Sequence, residues 1–341
     1  MNTDLLSLTI PKVKLDAVRK ALTATFGTIQ VEDIQMVTGG MSSALVYKIR
    51  VNNAVYLLRL TMAINELSDP VRHFTCMNLA AEHGIAPKVY YTNSDDAVSI
   101  TGFINAKPMK ELFSVLHDPA KFSAIISAIH ALPLFPELVN FLDGVDGLIQ
   151  EFKALNILPE DVTAEAFSLY AKIKLVYSIE DSDHVASHND LNPNNMLFDG
   201  EKVWVVDWEA AFRNDRYVDL AIAAQTYTGN AEKEEMLLTS YFTEVDDYKR
   251  ARFFLMQQVC FMYYSTLSFS VAAKHARIGQ LHNADMHVPD LADFRAMLGN
   301  GTISLGTYEG SLNYGKVLFN TLLKNMKTDK FAWAIGVITN V

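Results

Sequence analysis

The residues best equipped for chemistry lie in two short runs, Ser187-His188-Asn189-Asp190-Leu191-Asn192-Pro193-Asn194-Asn195 and Val205-Val206-Asp207-Trp208-Glu209. Between them stand two apolar segments, 195–198 and 202–206, around Asp199-Gly200, a strong hairpin signal. A tight turn there folds the arms back, so that Asn195 and Asp207 approach one another. A carboxylate and an amide oxygen converging without His or Cys suit a hard cation such as Mg²⁺. Asp190 is then placed to orient or deprotonate an attacking hydroxyl, assistance typically worth about 10²–10⁴ in rate. On spacing alone the same residues also fit a solvated polar loop with an ordinary hairpin, and both readings stand at this point.

The rest of the chain must supply the elements that position these groups. At 341 residues, half of them apolar and a fifth charged, it has ordinary globular composition and is long enough for two domains. Leu15, Val18, Leu22 and Phe26 fall at helical spacing, so an amphipathic helix opens the chain over 13–26. After Gly27 come short β-rich runs at 34–37, 45–51 and 54–60. Asn52-Asn53 suits a two-residue hairpin turn, because Asn tolerates the positive φ that such turns require. Val51 then pairs with Ala54, and counting outward sets Val46 opposite Arg59. Strand alternation places Val46, Leu57 and Arg59 on one face. A helix over 70–83 is ended by Gly84-Ile85-Ala86-Pro87, and strands at 89–92 and 98–104 flank a turn at 93–96. Beyond Ala106 the pattern is helical except for the hairpin at 195–206. A boundary near residue 105 thus divides a β-rich first third from a helical remainder.

Composition narrows the partners. Twenty-nine basic against thirty-nine acidic side chains leave a net charge of −10, which disfavours nucleic-acid or anionic-membrane binding and is compatible with a cationic ligand. Cys76 and Cys260 form no disulfide framework and have no metal-ligand spacing, and the first residues lack the order of a secretion signal, so a cytoplasmic protein is expected. Residues 253–273 carry no charge and are long enough to cross a bilayer. Gln257, Gln258, Ser265, Thr266, Ser268 and Ser270 within them would be costly in lipid, so a buried core helix is expected and no membrane span. His282, Asp285 and His287 are read as solvated loop residues, and no zinc is assigned.

His188-x-Asp190 with Asn195 resembles the H-x-D-x-x-x-x-N catalytic loop of kinase-like phosphotransferases, with Asp207 in place of the metal-binding Asp of their D-F-G motif. The run from Asn189 to Asn195 and the later Val206-Asp207-Trp208-Glu209 look most like choline/ethanolamine kinases and their bacterial relatives, which share a superfamily with the aminoglycoside phosphotransferases. The resemblance implies an α+β, two-lobed, protein-kinase-like fold: a helix and antiparallel sheet over 1–105, a mainly helical lobe over 106–341, and the nucleotide between them. It implies ATP as co-substrate, Asp190 as the catalytic residue and Mg²⁺ on Asn195 and Asp207. Gly39, Gly40, Ser42 and Ser43 of Gly39-Gly40-Met41-Ser42-Ser43-Ala44 would cover the phosphates. Val46 and Arg59 would face the nucleotide, Arg59 standing where protein kinases have a strand lysine, and Thr101, Phe103 and Ile104 would form the hinge against adenine. His188 and Asp219 would be scaffold residues, Asp219 accepting backbone N–H bonds from the catalytic loop.

One departure concerns the helix glutamate that usually pairs with the strand cation. Its position falls near His73, which leaves Glu66, Asp69 or the phosphates alone to hold Arg59. The acceptor implied is a small cationic or amino-alcohol molecule, with Glu209, Tyr263 and Tyr264 as its candidate contacts. The alternatives are an aminoglycoside or other small-molecule phosphotransferase and, given His73, a nucleotide-binding pseudoenzyme.

Overall fold

The Asn52-Asn53 turn, with φ of 51° and 62°, closes a hairpin of β2 (Leu45–Val51) and β3 (Ala54–Leu60). A computed structural model of the chain describes residues 5–37, 44–66, 68–277 and 279–340. In it Val51 pairs with Ala54 and Val46 with Arg59, the register counted from the sequence. With β1 (Asp33–Met36), β4 (Val89–Asn93) and β5 (Val98–Gly102) the hairpin completes an antiparallel sheet in the order β1-β2-β3-β5-β4. One face of the sheet carries Tyr47, Ile49, Val51, Leu58 and Leu60. These pack with Val18, Ala21 and Leu22 of α2 (Lys12–Phe26) and with Leu6 of the short α1 (Leu5–Thr9). Alternation leaves Val46, Leu57 and Arg59 to the other face. Gly27, at φ 70°, caps α2 in the left-handed conformation that glycine adopts most readily.

Strand β5 falls short of the 98–104 expected from the sequence, and the helix expected from residue 70 starts there. Strand β5 stops at Gly102, so Phe103 and Ile104 lie beyond the sheet. There the chain turns away, and Lys107 N–H donates to the Phe198 carbonyl at 2.7 Å. Helix α3 (Pro70–Glu82) begins where Asp69 accepts the N–H groups of Val71 and Arg72, with Pro70 in the first turn where its missing donor costs nothing.

The region after residue 106 is not helical apart from one hairpin. As well as β7 (Met196–Phe198) with β8 (Val203–Val205), it contains β6 (His184–Ser187) paired antiparallel with β9 (Phe212–Asp215). Four-residue strands whose partners are distant in sequence leave no local turn signal, so the pattern alone passes them over.

By contacts the chain forms two compact units: Met1–Leu138 with His184–Asp219 and Thr226–Tyr241, and Val139–Asp183 with Leu220–Gln225 and Phe242–Val341. The second unit is helical and contains residues 253–273 within a helix Asp247–His275. That helix is buried over most of its length. Several of its buried polar groups find partners: Thr266 donates to the Met262 carbonyl, Gln258 to that of Phe254, and Ser265 to that of Gly315 on the helix Tyr308–Met326. No single helix among the described residues is long and apolar enough to cross a membrane.

Because Leu58 is fully buried in the sheet–helix core one residue from Arg59, Leu58→Ala should cost about 2–5 kcal/mol of stability. Urea unfolding of the variant against the parent chain measures this.

Candidate active site

The catalytic-loop run lies between β6 and β7, and a single buried carboxylate organises its start. Asp219, in the helix Arg216–Ala223, accepts the backbone N–H of His188 at 2.8 Å and of Asn189 at 2.7 Å. His130 Nε2 approaches the same carboxylate at 3.1 Å. Burial by itself would raise the Asp219 pKa. The hydrogen bond and charge of His130 and the His188 N–H outweigh it, and the net shift is downward. Asn189 is held at φ 64°, a left-handed conformation uncommon for a residue with a side chain. Its side-chain oxygen accepts from Ser187 Oγ at 2.8 Å and Asn214 Nδ2 at 2.7 Å, and its own amide donates to the Ala210 carbonyl at 3.0 Å. This buried amide network has no signature in the spacing and was not anticipated.

His188 is committed to structure. Its Nε2 faces the Val206 carbonyl at 3.0 Å, and its Nδ1 faces the Asp190 N–H at 3.3 Å. A carbonyl needs a donor and an N–H needs an acceptor, so the partners select the neutral ring protonated on Nε2. The ring also meets Trp208 edge to face at 4.8 Å.

Asp190 comes next. Its Oδ2 accepts the side-chain amides of Asn192 at 3.0 Å and Asn195 at 2.8 Å, and the Asn195 amide also reaches the Asp190 carbonyl at 2.9 Å. Donating through nitrogen leaves Asn195 its Oδ1 as a ligand. Val206 N–H donates to the Asn195 carbonyl at 2.9 Å, which brings Asp207 one residue past the end of the hairpin pairing. Asp207 is itself left-handed, at φ 63°. Its Oδ1 is buried without a hydrogen bond and faces Arg59 Nη1 at 3.2 Å. No group of three or more His, Cys, Asp or Glu among the described residues is placed to hold a metal ion unaided. Mg²⁺ usually takes one or two protein ligands and completes its shell with water and phosphate oxygens, so an amide oxygen and one carboxylate with an unbonded oxygen fit it.

Arg59 answers the question posed by His73. Its acidic partners are Asp207 and Glu209, whose carboxylate meets Nη2. Glu66 is exposed and Asp69 is spent capping α3, so neither substitutes for the missing glutamate. His73 itself is buried, and its pKa is pushed down to about 3, first by burial and then by the Arg59 and Arg72 charges. Arg72 was missed in the sequence. Its Nη1 donates to the carbonyls of Glu209 at 2.8 Å and Ala211 at 2.7 Å. The available signal was a charged residue on the stripe that continues through Cys76 and Ala80, the buried face of α3.

Of the other candidates, Val46 lies opposite Arg59, and buried Thr101 pairs with Leu57 and Val89. Lys48 Nζ sits 4.6 Å over the Phe103 ring, and the Ile104 carbonyl accepts from Ala106 N–H at 3.0 Å. Gly39, Gly40, Ser42 and Ser43 lie outside the described residues. Tyr263 and Tyr264 belong to the second unit, where their rings meet edge to face at 5.1 Å and Tyr263 packs on Phe141 at 5.4 Å. The first unit therefore brings together Arg59, His188, Asp190, Asn195, Asp207, Glu209 and Asp219.

Residues 33–254 match the phosphotransferase enzyme family. The chain belongs to that family. Protein LicA of Haemophilus influenzae is 24% identical over 225 residues, a match that spans 63% of this chain and 64% of LicA. A choline/ethanolamine kinase family protein from Mesorhizobium loti superposes with a TM-score of 0.65 at 20% identity, covering 96% of this chain and all of that one. The choline kinase LicA from Streptococcus pneumoniae superposes at 0.61 with 16% identity, covering 91% and 98%. The chain thus has the kinase-like α+β architecture of these structures, an antiparallel sheet followed by a largely helical remainder.

The His73 environment predicts an acid-labile fold. The unfolded imidazole titrates near its ordinary pKa and the folded one near 3, so His73 weakens the fold by ~1.4 kcal/mol per pH unit from about pH 6.5 downward. Its contribution is level above that window. Replacing it by Phe should flatten the fall in stability between pH 6.5 and 4, read by urea midpoints at each pH.

Proposed function

We propose that this phosphotransferase moves the γ-phosphoryl group of ATP to a hydroxyl of a choline- or ethanolamine-type amino alcohol. The observation that carries the reading is Asp190, its carboxylate oriented by the Asn192 and Asn195 amides on a loop anchored to buried Asp219. In this reading Asp190 accepts the proton of the acceptor hydroxyl as its oxygen bonds to the γ-phosphorus. The bond to the β–γ bridging oxygen breaks, and ADP departs. Asn195 and Asp207 would hold Mg²⁺, which when bound offsets the charge of the phosphate oxygens. Arg59 adds positive charge beside Asp207, and Glu209, engaged by Arg59, is proposed to hold that cation.

The nucleotide is proposed to lie under Gly39, Gly40, Ser42 and Ser43, beside Val46 and against the segment Thr101, Phe103 and Ile104. The functional division then runs near residue 105, with acceptor-binding groups, Tyr263 and Tyr264 among them, after it. An amino-alcohol acceptor is supported by the likeness to LicA proteins and by the net charge of −10. The buried cysteines Cys76 and Cys260, which form no disulfide, are in keeping with the reducing cytoplasm in which we place the enzyme.

Asp190→Asn should lower turnover by about 10²-fold or more and leave MgATP binding in place. Wild-type turnover in that variant would remove Asp190 from the mechanism. ATP consumption across choline, ethanolamine, thiamine, sugars and aminoglycosides, with the variant as blank, tests the acceptor. Choline or ethanolamine should show the highest kcat/KM, whereas an aminoglycoside preference would overturn the amino-alcohol assignment. MgATP binding without turnover on any of them would favour a pseudoenzyme.

A further inference from the structure

Arg72 stands in the first turn of α3, 3% exposed, next to His73. Its Nη1 donates to both the Glu209 and Ala211 carbonyls, and these belong to the backbone that follows Asp207. One turn along the helix the Cys76 thiol meets the same Ala211 carbonyl at 3.5 Å. Past the far end of α3, Val205 N–H donates to the Ile85 carbonyl at 3.0 Å and Lys202 Nζ to the Gly84 carbonyl at 2.8 Å. The stretch from Lys202 to Ala211 is therefore stapled to α3 and its exit at several points, with left-handed Asp207 between the staples. A left-handed conformation at such a residue persists only where the surroundings impose it. A buried guanidinium is also an expensive way to satisfy two carbonyls if stability were the sole return. What it offers instead is a rigid planar group whose single Nη1 donates to both carbonyls in directions fixed by the guanidinium plane, which a freely rotating ammonium lacks.

We propose that Arg72 is a positioning residue for the phosphoryl-transfer centre: by fixing the Glu209 and Ala211 carbonyls it sets the direction of the Asp207 and Glu209 carboxylates. The proposal rests on the functional reading above, in which Asp207 is a Mg²⁺ ligand. It also accounts for His73. A carboxylate at that position would compete with Asp207 and Glu209 for Arg59, and with the Glu209 and Ala211 carbonyls for Arg72. A neutral imidazole fills the space and leaves both guanidiniums where they are.

The test compares Arg72→Met, which keeps most of the stem and removes the guanidinium, with Arg72→Lys, which keeps the charge without the planar group. Mn²⁺ binding in the presence of ADP, followed by electron paramagnetic resonance, should weaken by about 10–100-fold in Arg72→Met, the usual range for groups that orient metal ligands. Amide hydrogen exchange should accelerate within 202–212 and stay unchanged in the sheet β1–β5. The kcat should fall with the KM for the acceptor unchanged, and Arg72→Lys should lie between parent and Arg72→Met in each measurement. Unchanged Mn²⁺ affinity, or exchange that rises equally throughout the sheet, would overturn the proposal and leave Arg72 a plain structural residue. If Arg72→Met does not fold, the same comparisons made on Arg72→Lys decide it. A parent chain that binds no Mn²⁺ with ADP and turns over no acceptor would count against the functional reading, whereas local exchange reports the grip of Arg72 on 202–212 independently of either.

Discussion

The arrangement hangs on a carboxylate with no exposure to solvent. Asp219 would be a costly group to bury without partners, and it recovers that cost through hydrogen bonds to an ionised acceptor, which are among the stronger ones available. Two of its donors are consecutive backbone N–H groups, and that detail matters more than their number. Fixing the N–H vectors of His188 and Asn189 together fixes the peptide between them, and with it the left-handed turn at Asn189 from which Asp190 departs. His130, the third donor, is itself held by the Tyr241 hydroxyl at 2.6 Å, so the anchor is braced from behind. A neutral or shorter side chain at 219 would leave two buried donors without an ionised acceptor at the start of the loop that carries Asp190.

A second economy governs the charges around Asp207. Arg59 and Arg72 both approach this segment, Arg59 through the carboxylates of Asp207 and Glu209 and Arg72 through backbone carbonyls. The guanidiniums therefore do not compete for the same partners. His73 lies close to both and is held neutral by burial first and their charges second. In kinase-like enzymes generally a helix acid neutralises the strand cation. Here the acid comes from the far side, two residues after Asp207, and the helix contributes a cation.

These differences explain what could be read from the sequence and what could not. The β2–β3 hairpin was legible down to its register because Asn52-Asn53 is a local signal and period-two alternation carries it outward to Val46 and Arg59. Helix α3 and the Asp199-Gly200 hairpin were legible for the same reason, each being marked within a few residues by its own cap or turn. The approach of Asp219 to the catalytic loop was anticipated only through resemblance, since 30 residues separate donor from acceptor. Arg59 with Glu209 and Arg72 with Glu209 and Ala211 span 137 to 150 residues, and no periodicity operates over that range. The β6–β9 pair and the Asn189 amide network fail the same test: their partners are fixed by tertiary packing, and short polar segments look alike whether they pair or not. Charged residues on an apolar stripe were the one clue available to a reader of α3, and His73 drew attention away from its neighbour.

His188 joins the two anchored segments. Its N–H binds Asp219, its Nδ1 accepts from Asp190, its Nε2 donates to Val206 one residue before Asp207, and its ring rests on Trp208. Only the neutral ring with its proton on Nε2 satisfies both neighbours, because a protonated imidazole offers no acceptor to the Asp190 N–H. A histidine here thus does what a larger apolar residue cannot: it fills a buried space and ties the Asp190 loop to the Asp207 segment with bonds of opposite polarity. Phosphoryl transfer asks a protein chiefly to place a base, a metal and positive charge in line and to keep them there. In this chain Asp219, His188, Arg72 and Asn189 are buried, and their hydrogen bonds hold the loop that carries Asp190 and the segment that carries Asp207 in one geometry.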